Sequence, residues 1–203
     1  MTLSELVSGV YAVTSRPDLV ALTDQFIKQA TLKLHQLDFF YKDLFETGLI
    51  FGSPETIQQV DIKSLIPRWR ANKYLRKSDV TGALGNFIED IVVPENSLDS
   101  YNVLRENVYY VAGNLLNIRS DSALQYVLYG CFRYPDITSL SFDSWIAVDH
   151  PYAIINDAAS STFKRTGKDS EAAAMRTIVW GDGKNDRGLA GDIIMSNSRT
   201  TGY

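Results

Sequence analysis

The chain is poor in the residues that carry covalent and metal chemistry. One cysteine, Cys131, and two histidines, His35 and His150, stand among 203 residues. A lone cysteine makes no internal disulfide, so the fold rests on its apolar core and suits a reducing cytoplasm. Two distant histidines with no second cysteine make a poor zinc set. Purely apolar runs reach only a few residues, against the roughly 20 that span a bilayer. The opening residues Met1 to Glu5 lack the basic and apolar regions of a signal peptide, so no membrane association is expected. Also missing are a GxGxxG behind a strand, a GxxxxGKS/T phosphate loop, a GxSxG elbow and an HExxH pair.

The residues left over do not assemble a reactive site. Cys131 lies between Gly130 and Phe132 in a strand-like run, where it reads as a small buried hydrophobe rather than a nucleophile. Glu89 and Asp90 are adjacent, so in a strand they point to opposite faces and form no acid–base pair. The stretch from Asp182 to Gly188 has a superficial likeness to a calcium loop but misses its acidic spacing and its closing glutamate. No enzyme activity, cofactor or metal is expected.

What is present is the composition of an ordinary globular protein, 45 % hydrophobic and 22 % charged. The length allows one domain, or one core with a sizeable insertion. A chain of this size buries roughly 70 % of the surface it exposes when unfolded, enough for a core without staples. The formal charge of −4 argues against coating nucleic acid over the whole surface, and leaves room for a local basic face.

The first forty residues read as two helices. Thr2 and Glu5 have capping-box spacing, ahead of Leu3, Leu6, Val7, Val10 and Tyr11 at helical intervals. Pro17 and Asp18 restart the chain, and Leu19, Leu22, Phe26, Ala30, Leu34 and Leu37 form a stripe opposite Asp24, Lys28, Thr31 and Lys33. Phe39-Phe40-Tyr41 reads as core. From about 45 to 143, short β-branched and aromatic runs alternate with turn residues. Asn107–Val111 and Leu115–Arg119, joined by Ala112-Gly113-Asn114, read as a hairpin; Gln125–Tyr134 is strand-like, Gln58–Lys63 and Tyr74–Lys77 more weakly so. A small antiparallel meander is the expectation. Helices return with Ser144 or Asp143 as a cap before Trp145. Pro151 then opens a helix whose apolar face is Ile154, Ile155, Ala158, Ala159 and Phe163. Asp169 or Ser170 caps a last helix through Trp180. Beyond Gly181 the chain is glycine-rich and polar, with one apolar knot at Ile193, Ile194 and Met195, and reads as a loose tail.

One charge cluster stands out. Lys63, Arg68, Arg70, Lys73, Arg76 and Lys77 fall between Asp61 and Asp79 with no acidic side chain among them, and Trp69 and Tyr74 are interleaved. The cluster suits a surface facing phosphates, or a solvated face paired with acidic neighbours or another subunit.

Several stretches together resemble the head-to-tail adaptor (connector) proteins of tailed bacteriophages, the short-tailed kind above all. They are Thr2-Leu3-Ser4-Glu5-Leu6-Val7, Arg16-Pro17-Asp18-Leu19-Val20, Ala30-Thr31-Leu32-Lys33 and the run from His35 to Leu44. Tyr110-Val111-Ala112-Gly113, Ile118-Arg119-Ser120, Ser144-Trp145-Ile146-Ala147, Pro151-Tyr152-Ala153-Ile154-Ile155 and Phe163-Lys164-Arg165-Thr166-Gly167-Lys168 complete the set. The resemblance implies an α+β fold: a bundle of N- and C-terminal helices, an inserted antiparallel β-rich region and an extended C-terminal tail. It implies one adaptor domain over 1–180, with helices at about 3–40 and 144–180 and the insertion at about 45–143, followed by a flexible arm at 181–203. It further implies a structural virion protein, made in the host cytoplasm. Such a protein forms a homo-oligomeric ring, commonly a dodecamer, that joins the portal to the tail nozzle around the channel for double-stranded DNA. Under that resemblance Gly181, Arg187, Ile193, Ile194, Met195 and Tyr203 become a portal-binding arm, and the basic cluster lines the DNA lumen or a subunit contact. A tail-completion or stopper ring protein and a nucleic-acid-binding module are the alternatives.

Overall fold

The computed structural model describes residues 1–79, 81–90, 106–138, 140–183 and 186–200, with residues 197–200 described by backbone alone. Seven helices are seen among them: α1 (Leu3–Thr14), α2 (Val20–His35), α3 (Ile62–Leu65), α4 (Trp145–Asp149), α5 (Pro151–Arg165), α6 (Asp169–Trp180) and α7 (Gly188–Thr200). The strands are β1 (Leu44–Asp61), β2 (Trp69–Ser78), β3 (Leu84–Asp90), β4 (Val108–Ala112) and β5 (Leu115–Arg133). The chain divides into two compact units, a helical one of residues 1–42 with 134–203 and a β one of residues 43–133.

In the helical unit some of the local signals are realised and others are not: α2 starts at Val20 behind an uncapped Leu19, and α6 starts at Asp169 behind Lys168 with no side-chain cap. The Thr2 hydroxyl accepts from the Glu5 N–H while the Glu5 carboxylate accepts from the Thr2 N–H, closing a capping box at α1. Pro151 occupies the first turn of α5, and Ser144 Oγ caps α4 by accepting from the Ala147 N–H. The core gathers Leu6 and Val10 of α1, Ile27, Ala30 and Leu34 of α2, Phe40, Ile146 and Ala147, with Ile154, Ile155 and Ala158 of α5. The buried stripe of α2 keeps Ala30 and Leu34 of the expected one, with Phe26 and Leu37 packed half-buried against the core, and adds Thr23, Ile27 and Thr31. Thr31 tolerates burial because its hydroxyl donates to the Ile27 carbonyl at 2.8 Å, which satisfies the polar group within its own helix. Of the aromatic run, Phe40 is core while Phe39 and Tyr41 are exposed.

The architecture corrects the expected fold in two places. The chain is α+β and the β region is inserted between the two helical segments, but it is not a purely antiparallel meander. Strands β5, β2, β3 and β4 pair in sequence and β4 returns to β5, closing a four-stranded barrel with β1 laid along β5. The closure is a parallel β3–β4 pair, which no hairpin signal announces. The sequence signals reached the β4–β5 hairpin, turning at Gly113-Asn114, but not β3, whose only buried residue is Ile88. Nor does an extended tail follow Trp180. Residues Gly188–Thr200 are helical, and Ala190 and Ile193 sit in the core of the helical unit. Gly191 lowers helix propensity by about 1 kcal/mol, a local cost that burial of Ile193 and Ala190 offsets, whereas Gly188 opens the helix at φ 58, where glycine is favoured.

The barrel interior is packed with Leu49, Phe51, Ile62, Ile66, Leu75, Ile88, Tyr109, Leu116, Ile118, Val127, Tyr129 and Cys131. Among the described residues no helix is long and apolar enough to cross a membrane.

Candidate functional site

The basic cluster is built mainly on β2, and two bulges shape it. Trp69 pairs with Arg133 and Ala71 with Phe132, so Arg70 is an extra residue; Asn72 pairs with Cys131 and Tyr74 with Gly130, so Lys73 is another. Between and beyond the bulges β2 alternates. Leu75 points into the barrel, and Tyr74 and Arg76 point out. The Tyr74 ring lies flat over Gly130, where a Cβ would come within 2.7 Å of it, so only glycine fits opposite this tyrosine. Phe87 of β3 meets Tyr74 edge-on at 5.9 Å, and the Arg76 guanidinium stacks 4.5 Å from the Phe87 centroid.

The six cations do not form one field. Lys63 is exposed on α3, whose N-cap Asp61 accepts from the Lys63 and Ser64 N–H groups. Lys77 is paired with Asp121 of β5, whose carboxyl Lys77, Asn107 and Ser122 together hold far below the usual carboxylate range. Arg76 also donates to the Gly85 carbonyl. Lys73 is exposed, 5.8 Å from the Phe132 ring centroid. Arg68 is exposed with φ 66, a left-handed conformation that side chains other than glycine adopt at a cost. Arg133 joins the cluster from the far end of β5, its guanidinium 3.7 Å from the Phe45 centroid; burial, then the charge of Arg68, lowers its pKa. Neither Arg133 nor Asp121 was legible as a member, because only the β2–β5 register brings them alongside β2.

Behind the cations the barrel carries a polar seam. The Trp69 indole N–H donates to the Tyr129 hydroxyl at 2.8 Å, and that hydroxyl donates to Asn72 Oδ1. Burial raises the Tyr129 and Tyr109 phenols, the latter further through the charge of Asp90. The Tyr109 hydroxyl has no partner of ordinary hydrogen-bond geometry. Although Asp90 as a residue is exposed, desolvation raises its carboxyl more than Tyr109 and Asn72 lower it. Cys131 is buried and its thiol is pushed up to about 11, an unreactive state.

The expected arm residues are divided by α7. Ile193 is wholly buried, whereas Ile194 and Met195 are exposed, as is Arg187. Gly181, with φ 75, turns the chain out of α6 so tightly that a Cβ would lie 1.9 Å from the Asp186 carbonyl oxygen. Tyr203 lies outside the described residues. A hollow of about 540 Å³ beside α7 is lined by Leu37, Trp180, Arg187, Ala190 and Ile194. Nearby Asp157 of α5 accepts from the Trp180 indole at 2.7 Å and from Lys33 at 3.1 Å, which ties α2, α5 and α6 together. His35 Nε2 and Ser144 Oγ are 2.9 Å apart, both buried, with the serine engaged as the α4 cap. Among the described residues no group of three His, Cys, Asp or Glu side chains could hold a metal ion.

No family model matches this chain, and no curated protein matches it.

Proposed function

We propose that the chain is a structural virion protein of the head-to-tail adaptor kind, a subunit of a ring between portal and tail nozzle around the DNA channel. The observation that carries this reading is where the adaptor-like stretches fall. Leu6, Ala30, Phe40, Ile146, Ala153, Ile154, Ile155 and Phe163 all come from them and are buried side chains of the helical unit. Six of the nine stretches thus contribute side chains to the packing of that unit, while Arg16–Val20 contributes no buried residue and two stretches lie in the β unit. In this reading α7 meets the portal as a helix, through Arg187, Ile194 and Met195, and Ile193 holds it in place.

Electron micrographs of the chain mixed with candidate portal rings test the proposal. A second ring stacked on the portal is expected, weakened by Ile194→Asp with Met195→Asp. Portal rings that remain bare would overturn it. Separate pull-downs on portal and nozzle distinguish the adaptor from a stopper ring protein. The basic strand β2 favours one further reading, a nucleic-acid-binding module, which predicts duplex binding at low salt that collapses on changing Arg68, Arg70 and Lys73 to alanine.

A further inference from the structure

Two strands flanking β5 carry opposite charge. β2 presents Arg70, Lys73, Arg76 and Lys77 with no acidic residue, and Arg68 immediately precedes it. β1 presents Glu46, Glu55 and Asp61 with no lysine or arginine. β1 is also the end strand of the sheet order, paired only with β5, so its outer edge has no strand partner among the described residues. Each strand has a large apolar side chain in the open beside its charges. Ile50 of β1 is 72 % exposed and Ile57 55 %, and Phe87, which pairs with Arg76 across β3, is 60 % exposed.

We infer that the basic face of β2 and the acidic edge strand β1 are the two halves of a contact between copies of this chain, β2 of one copy against β1 of the next. The inference rests on the ring reading for its geometry. A closed ring repeats one head-to-tail contact, which needs two different, complementary patches on each subunit, whereas a two-fold dimer needs one self-complementary patch. The charges supply that complementarity and its register. Arg76 is pre-oriented by its stack on Phe87, so it loses less freedom on binding than a free arginine would. Ile50, Ile57 and Phe87 supply the apolar centre that charge pairs alone lack. Lys77 is outside the contact, because Asp121 of its own chain occupies it. β2 is already paired on both edges, by β5 and β3, so the contact is made by side chains and not by strand addition.

Charge exchange tests this without any portal. Sedimentation velocity on the full chain, from 10 to 500 µM in 50 mM salt, is expected to show association that 500 mM salt suppresses. Arg70→Glu with Lys73→Glu, and separately Glu46→Lys with Glu55→Lys, should each weaken that association about tenfold or more. The four changes in one chain should restore it. Circular dichroism spectra confirm that each variant is folded. Absence of association at 500 µM in the wild type, or a four-fold variant as weak as its parents, would overturn the inference. So would variants that keep association while losing binding to a 30-base-pair duplex, which would give the basic strand to nucleic acid. The adaptor proposal stands or falls on the portal micrographs instead. A chain that self-associates through these strands but leaves portals bare keeps the contact and loses the adaptor.

Discussion

Asp157 links three helices of the helical unit through one carboxylate. It is nearly buried, yet both its partners reach it from other helices, Trp180 through an indole N–H and Lys33 through an ammonium that also lies 4.0 Å from the Trp180 ring centroid. Replacing it with alanine leaves a half-buried indole donor and a cation without their acceptor. Asp157→Ala should cost about 2 kcal/mol in urea unfolding. Trp180→Phe should cost less, because it removes the donor along with the need for an acceptor. Cys131 gives a pH signature of opposite character. Burial lifts its thiol from 9.0 to about 11, so the unfolded chain releases this proton first as the pH rises. The stabilisation is therefore complete below pH 9 and falls between 9 and 11. Urea melts at pH 8 and 10.5 should show a drop about 2 kcal/mol larger in the wild type than in Cys131→Val.

At the level of elements, legibility followed locality. The α1 capping box, Pro151 at the head of α5 and the β4–β5 hairpin each depend on residues within a turn or two of one another, and each was readable. β3 was not, because Leu84–Asp90 keeps only Ile88 inside and its pairing with β4 is parallel and remote. The charge cluster was visible as composition, but not its division: Lys77 pairs with Asp121, Arg76 with Phe87, and Arg133 arrives from another strand. Helix α7 was hidden by its glycines. Its apolar knot is plain in the sequence, but which of Ile193 and Ile194 faces inward depends on a partner surface that only the folded unit provides. Ile193→Ala should cost about 3 kcal/mol and expose the amides of α7 to hydrogen exchange, while Ile194→Ala should change stability by less than about 0.5 kcal/mol. Equal effects from the two would mean that α7 is not seated as described.

The whole molecule is discontinuous in sequence for one unit and continuous for the other. The β unit runs unbroken from 43 to 133, and its first and last strands lie side by side, Leu44 pairing with Phe132. A segment whose ends meet and whose core is its own should fold when cut out. Residues 43–133 expressed alone should give a β-type circular dichroism spectrum and a cooperative thermal transition; a flat melt would mean that the unit depends on the rest of the chain. The barrel's closure has a further consequence. Among the described residues only two pairs, Glu89 with Val108 and Asp90 with Tyr109, join β3 to β4. A bracelet parts at its clasp: deuterium should reach β3 amides well before those of the long β1–β5 ladder.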